Sequence, residues 1–173
     1  MVTNETLKDI VIENFKSLMR ETMFLLKSIP QDKLEFSPCT QMKHLGQLAR
    51  HIAIIPFTAT LYAEEYFCEV QTPTELNKVS EETFGDDLKY NNYSTVFEKS
   101  CDYFLSFYNA KCDDSLINES FINPANNEAT PYLKNFLNVT NHLAHHTGNL
   151  SAYIRELLVP EAVKQNIEET LLP

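Results

Sequence analysis

Residues 141–155 read NHLAHHTGNLSAYIR and place three of the chain's five histidines within five positions. On a helix, His142 and His146 lie four residues apart, on one face and one turn from each other. Two imidazoles so placed can approach one ion, with metal–nitrogen distances of about 2.0–2.1 Å for zinc. A pair by itself makes a weak site, and the same spacing suits a polar run on an ordinary helix. His145 is turned about 100° from His146 around such a helix, so it is expected beside the site or in solvent.

Working outward, this stretch belongs to the last of four helices. Thr130 followed by Pro131 is a helix start, since proline suits the first helical position, and the helix is expected to reach about Leu158. The first helix is expected from about Asn4 to Ile29. Its apolar stripe comprises Leu7, Ile10, Val11, Phe15, Leu18, Met19, Thr22, Leu25 and Leu26 at three- and four-residue spacing. Pro30 closes it. The second helix is expected after Thr40, acting as N-cap, and to continue to about Phe67, with Pro56 kinking or breaking it. A third helix, capped by Ser94 or Asn92, carries Val96, Phe97, Cys101, Phe104, Leu105 and Tyr108 inward to about Ala110. Residues 68–93 are polar and without sustained periodicity, and read as a long connection with at most a short helical turn. A short β-hairpin is expected within 115–130, and residues 161–173 look like a terminal helix.

Four helices with unequal connections specify an all-α fold, a four-helix bundle with one long crossover connection between helices 2 and 3. That crossover is long enough for helices 2 and 3 to run parallel. At 173 residues the chain suits a single domain over 1–173.

Composition narrows the function. A net charge of −10 disfavours nucleic acid and anionic membrane surfaces, which call for clustered Lys and Arg. With three glycines the chain has no phosphate-cradling loop of the usual kind, and no GxSxG nucleophile elbow occurs. The four cysteines form no CxxC pair, the N-terminus does not read as a signal peptide, and no stretch has the length of a membrane span. A cytoplasmic protein with reduced thiols is expected.

A third metal ligand must come from another helix. His51, in LGQLARHIAIIP (45–56), has apolar neighbours Leu48, Ile52 and Ile55 and suits a group turned into the bundle. His44 lies seven residues earlier and is the better surface residue; a carboxylate is the other possibility.

The two histidine stretches resemble LxxLxxHIAxxP and HxxxHRGQLxxYLR of the DinB/YfiT-like superfamily of four-helix-bundle metalloproteins. The resemblance runs over nearly the whole chain and is most specific at His142, His146, Gly148, Leu150 and Tyr153-Ile154-Arg155. It implies a divalent metal ion (zinc, nickel or iron) held by His51, His142 and His146. It further implies either transfer of a low-molecular-weight thiol to a small electrophilic substrate or hydrolysis by metal-activated water. A non-catalytic, metal-stabilised bundle is the alternative, and a homodimer is expected. Thr147 stands where the family often has Arg, and Asn149 where it often has Gln. His145, Asn149 and Tyr153 are expected around the ligands or pocket, with a core position the plainer role for Tyr153. Arg155 suits the C-terminal end of its helix. Glu64 and Glu65 lie far along the second helix from His51 for a general base.

Overall fold

The structure, a computed structural model, describes residues 6–64, 73–124 and 126–158. The expected terminal helix at 161–173 and the expected end of the second helix near Phe67 lie outside these residues.

Helix α1 (Leu7–Lys27) starts on a capping box rather than at Asn4. The Thr6 hydroxyl accepts the Asp9 N–H at 3.2 Å, and the Thr6 N–H donates to the Asp9 carboxylate at 3.1 Å. Its inward face is Val11, Ile12, Phe15, Thr22 and Leu26, whereas Leu7 and Ile10 are exposed. The expected stripe is therefore too wide at its N-terminal end.

Helix α2 (Leu45–Ala63) begins at His44, not Thr40. Two of its unpaired N-terminal N–H groups find loop carbonyls: Leu45 N–H donates to Phe36 O and Gly46 N–H to Leu34 O, both at 2.8 Å. Gly46 permits this, because a Cβ there would come within 3.3 Å of Leu34. The helix continues through Pro56 without a break. Proline removes one ladder donor and crowds the preceding turn. Here the next N–H, that of Phe57, donates to the buried Ser100 Oγ at 2.8 Å. A side chain of another helix thus satisfies a group that the proline displaces.

Residues Pro73–Lys89 form helix α3, a correction to the expected irregular connection. Leu76, Val79, Phe84 and Leu88 supply its apolar side, packed on the core. Gly85, at φ +41°, divides it with a kink that a residue bearing a Cβ would adopt only under strain. Helix α4 spans Tyr93–Asn109, with the expected Val96, Phe97, Cys101, Phe104 and Tyr108 buried. A short α5 (Asp113–Asn118) precedes the hairpin of β1 (Ser120–Asn123) and β2 (Glu128–Pro131), antiparallel with Phe121 opposite Thr130. Thr130 and Pro131 thus close a strand, and helix α6 begins one residue later than expected (Tyr132–Leu158).

Helices α1, α2, α4 and α6 are the bundle; α2 and α1 each pack on both α4 and α6. Their directions follow from the contacts. Phe57 meets Ser100 and Glu64 meets Tyr103, so α2 and α4 run parallel. Lys43 meets Tyr153, while Ala59 meets Asn135, so α2 and α6 are antiparallel. Phe15 lies against Phe136 and Thr22 against Thr147, so α1 and α6 are parallel. Phe15, Phe104, Tyr108 and Phe136 form an aromatic cluster with ring centroids 4.7–5.7 Å apart. It packs the half of the bundle away from the histidines.

Candidate metal centre

The antiparallel pairing of α2 and α6 sets His51 opposite the His142–His146 face. The ring centroid of His51 is 5.4 Å from that of His142 and 4.6 Å from that of His146, and the pair itself is separated by 4.7 Å. One nitrogen from each ring lies within 4.8 Å of the others. His142 Nε2 and His146 Nε2 are 2.9 Å apart, close enough that one donates to the other. Two nitrogens on one tetrahedral ion would stand about 3.3 Å apart, and two adjacent nitrogens on an octahedral one about 3.0 Å. The spacing of the pair therefore fits an ion after small side-chain rotations.

Electrostatics favour lone pairs over protons here. Burial lowers the His51 pKa to about 4, helped by the Lys43 charge and by the other two imidazoles. Burial also lowers His146 to about 4, followed by His142, His145 and Lys43. His142 is lowered by the same kind of causes, desolvation first, although its ring is the most exposed of the three. All three are neutral at pH 7, the form that ligates a metal. His146 Nδ1 is buried and has no partner among the described residues.

The remaining expected residues are placed as follows. His145 is exposed, with Nε2 3.2 Å from Asn149 Nδ2, and the two form a surface pair outside the triad. Tyr153 is buried and donates to Lys43 O at 2.7 Å, pinning the entrance of α2 to α6; it also stacks edge-on against Phe36. Thr147 points away from the histidines into the α1–α6 contact, where its hydroxyl meets Thr22 Oγ1 at 2.8 Å and Leu143 O at 2.8 Å. His44 is a surface residue, its Nδ1 2.8 Å from Glu35 O. Glu64 caps the far end of α2 and accepts the Tyr103 hydroxyl at 2.6 Å, away from the histidines. Glu65 lies outside the described residues. Arg155 stands in the last turn of α6, as expected.

Beside His51 lies an open cavity of about 440 Å³ between α2 and α3. Lys43, Gln47 and Arg50 line it together with the apolar Ile54 and Leu76. Sequence reasoning missed this feature because it left α3 as an irregular connection. The signal available was the Leu76, Val79, Phe84, Leu88 spacing.

Comparison with known proteins adds the fold. No protein-family model and no curated protein sequence matches the chain. Among solved structures, it is similar to the crystal structure of the DinB-like protein YjoA from Bacillus subtilis. The TM-score is 0.59 at 16% sequence identity, over 87% of this chain and 93% of that one. The chain has the DinB-like helical-bundle fold. Among the described residues no helix is long and apolar enough to cross a membrane.

Proposed function

We propose that the chain is a divalent-metal-dependent enzyme that uses His51, His142 and His146 as ligands and transfers a low-molecular-weight thiol to an electrophilic substrate. The observation that carries this reading is the meeting of three imidazoles from two helices, one of which, His51, also lines an open cavity. Zinc, nickel and iron all suit such a donor set. A divalent ion there would act as a Lewis acid, lowering the pKa of a thiol or of water.

The protein's own part is to keep the donors neutral and aimed at one point. Burial withholds protons from the imidazoles, and the α2–α6 clamp through Tyr153 and Lys43 O holds the two helices in register. Among the described residues, neither the histidine group nor the cavity lining includes a carboxylate. That favours thiol chemistry over hydrolysis, which gains most from a positioned general base. The proposal takes residues 1–173 as one domain. It includes a homodimer, supported by a groove lined by Ile117, Leu133 and Leu137, of which Ile117 and Leu137 are exposed.

Elemental analysis of untagged protein tests the site. Near-stoichiometric metal is expected in the wild type and its loss in the His142→Ala/His146→Ala variant. No metal after incubation with zinc, nickel, manganese and iron salts would overturn the proposal. Metal-loaded protein that consumes no thiol in the presence of an electrophile would leave a metal-stabilised bundle in its place.

A further inference from the structure

We propose that the molecule occupying the cavity between α2 and α3 carries a carboxylate, held by Lys43 and Arg50 with its reacting end toward His51. The orientation toward His51 rests on the functional reading above; the carboxylate subsite does not. The cavity volume of about 440 Å³ lies in the range of small-molecule sites. Gln47, Arg50, His51, Ile54 and Thr58 recur along one face of α2, and Leu76 and Asn77 of α3 close the other side.

The charge of this cavity is opposite to that of the chain. The protein has 24 acidic and 14 basic residues, yet the lining holds two cations and no acid. Arg50 is held by α3: its Nη2 donates to Glu81 Oε1 at 2.9 Å. A guanidinium has five N–H donors, so this bond orients the group and leaves the rest of its fork for a ligand. Among the described residues, Lys43, Arg50 and Glu81 give the rim one net positive charge, which matches a monoanionic carboxylate better than a dianionic phosphate. Lys43 lines the same cavity as His51. Ile54 and Leu76 provide an apolar wall for a short carbon skeleton. A ligand of this size would thus reach from the cations to His51.

The carboxylate could belong to the thiol or to the acceptor, and the experiment separates them. Cobalt(II)-loaded protein is titrated with 3-mercaptopropionate and 2-mercaptoethanol, read by sulfur-to-cobalt charge-transfer absorbance. Propionate, a carboxylate without sulfur, is titrated by calorimetry. Two partly exposed ion pairs are expected to give a preference on the order of tenfold. If the thiol carries the carboxylate, 3-mercaptopropionate binds about tenfold more tightly than 2-mercaptoethanol. If the acceptor carries it, the two thiols bind alike and propionate binds on its own. In either case Lys43→Gln and Arg50→Gln each remove much of the effect, and Arg155→Gln, outside the cavity, leaves it. Equal thiol affinities together with propionate binding that ignores both variants would overturn the subsite. Absence of a charge-transfer band with either thiol would overturn the thiol reading alone, because the propionate titration still reports on Lys43 and Arg50. The comparison among probes in the wild type does not depend on any variant folding.

Discussion

Replacing Ser100 by Ala tests how the bundle tolerates Pro56 within the helix that carries His51. The Ser100 Oγ is fully buried and accepts the Phe57 N–H at 2.8 Å. Without it, a buried backbone N–H beside a proline loses its partner, which costs about 1–3 kcal/mol. In a chain of 173 residues this corresponds to a fall in Tm of roughly 2–12 °C, at about 2–4 °C per kcal/mol. The cost should depend on the proline. In a Pro56→Ala background the ring no longer crowds the preceding turn, so the Phe57 N–H can return to the helix ladder. There Ser100→Ala should cost about 0.5 kcal/mol or less. Thermal denaturation of the metal-free wild type, the two single variants and the double variant gives the coupling directly. Equal costs of Ser100→Ala in both backgrounds would refute the reasoning, showing that the Phe57 N–H never depended on Ser100.

Other consequences are open to measurement. Because His51 and His146 titrate at about 4 in the folded protein, protons compete weakly for them at pH 5.5. Metal affinity by calorimetry should therefore fall by no more than about tenfold between pH 7.5 and 5.5, the most that His142 alone could contribute, where three ordinary histidines would lose about a thousandfold; such a loss would contradict the burial argument. The same shifts act on stability with a definite sign. Folded pKa values below the unfolded value near 6.5 mean that the unfolded chain binds protons first. Metal-free stability in urea should thus be full above pH 6.5 and decline as the pH falls from 6.5 toward 4, and a flat profile would count against it. Tyr153→Phe removes the bond to Lys43 O and should destabilise by about 0.5–1.5 kcal/mol, with weakened metal binding if the clamp sets the α2–α6 register. Gly85→Ala forces a Cβ into φ +41° and should cost about 1–2 kcal/mol; chemical denaturation would reveal an unchanged stability.

The histidine cluster was legible in the sequence because one rule, the four-residue spacing of His142 and His146, holds wherever a helix forms. The apolar neighbours of His51 favour it over His44, and the resemblance to the DinB/YfiT-like superfamily names it as the third ligand. The β-hairpin, too, lies where it was expected, running one residue further, to Pro131. What escaped was structure set by tertiary contact. The α3 stripe is sparse, and Gly85 interrupts it, so residues 73–89 lack the sustained period that marks a helix. Its order comes from packing Phe84 and Leu88 on the core. Beyond Pro56 the Phe57 N–H is satisfied by Ser100, 43 positions from Phe57 along the chain. Likewise the partner of Thr147 is seen only once Thr22 is placed opposite it. The start of α2 was misplaced for a related reason, since its first N–H groups are satisfied by Leu34 and Phe36 carbonyls rather than by Thr40.

These misread features share a cause that bears on function. With α2 and α4 running parallel, the chain must travel the length of the bundle between them, and that return path needs many residues. A return path that remained irregular would leave the outer face of α2, with Gln47, Arg50 and His51, open to solvent. Because α3 folds there instead, Leu76 and Asn77 stand across from that face and a cavity forms beside His51. The Arg50–Glu81 pair links the two sides, as the Phe57–Phe84 ring contact does farther along α2. An exposed ion pair of this kind contributes little to stability, but it fixes the direction of a cation at the cavity rim. The bundle topology therefore yields two things at once: an antiparallel α2–α6 contact that brings three imidazoles together, and a parallel α2–α4 crossover that builds a wall beside them. Changes in α3 should accordingly alter which ligand binds while leaving the histidine geometry in place.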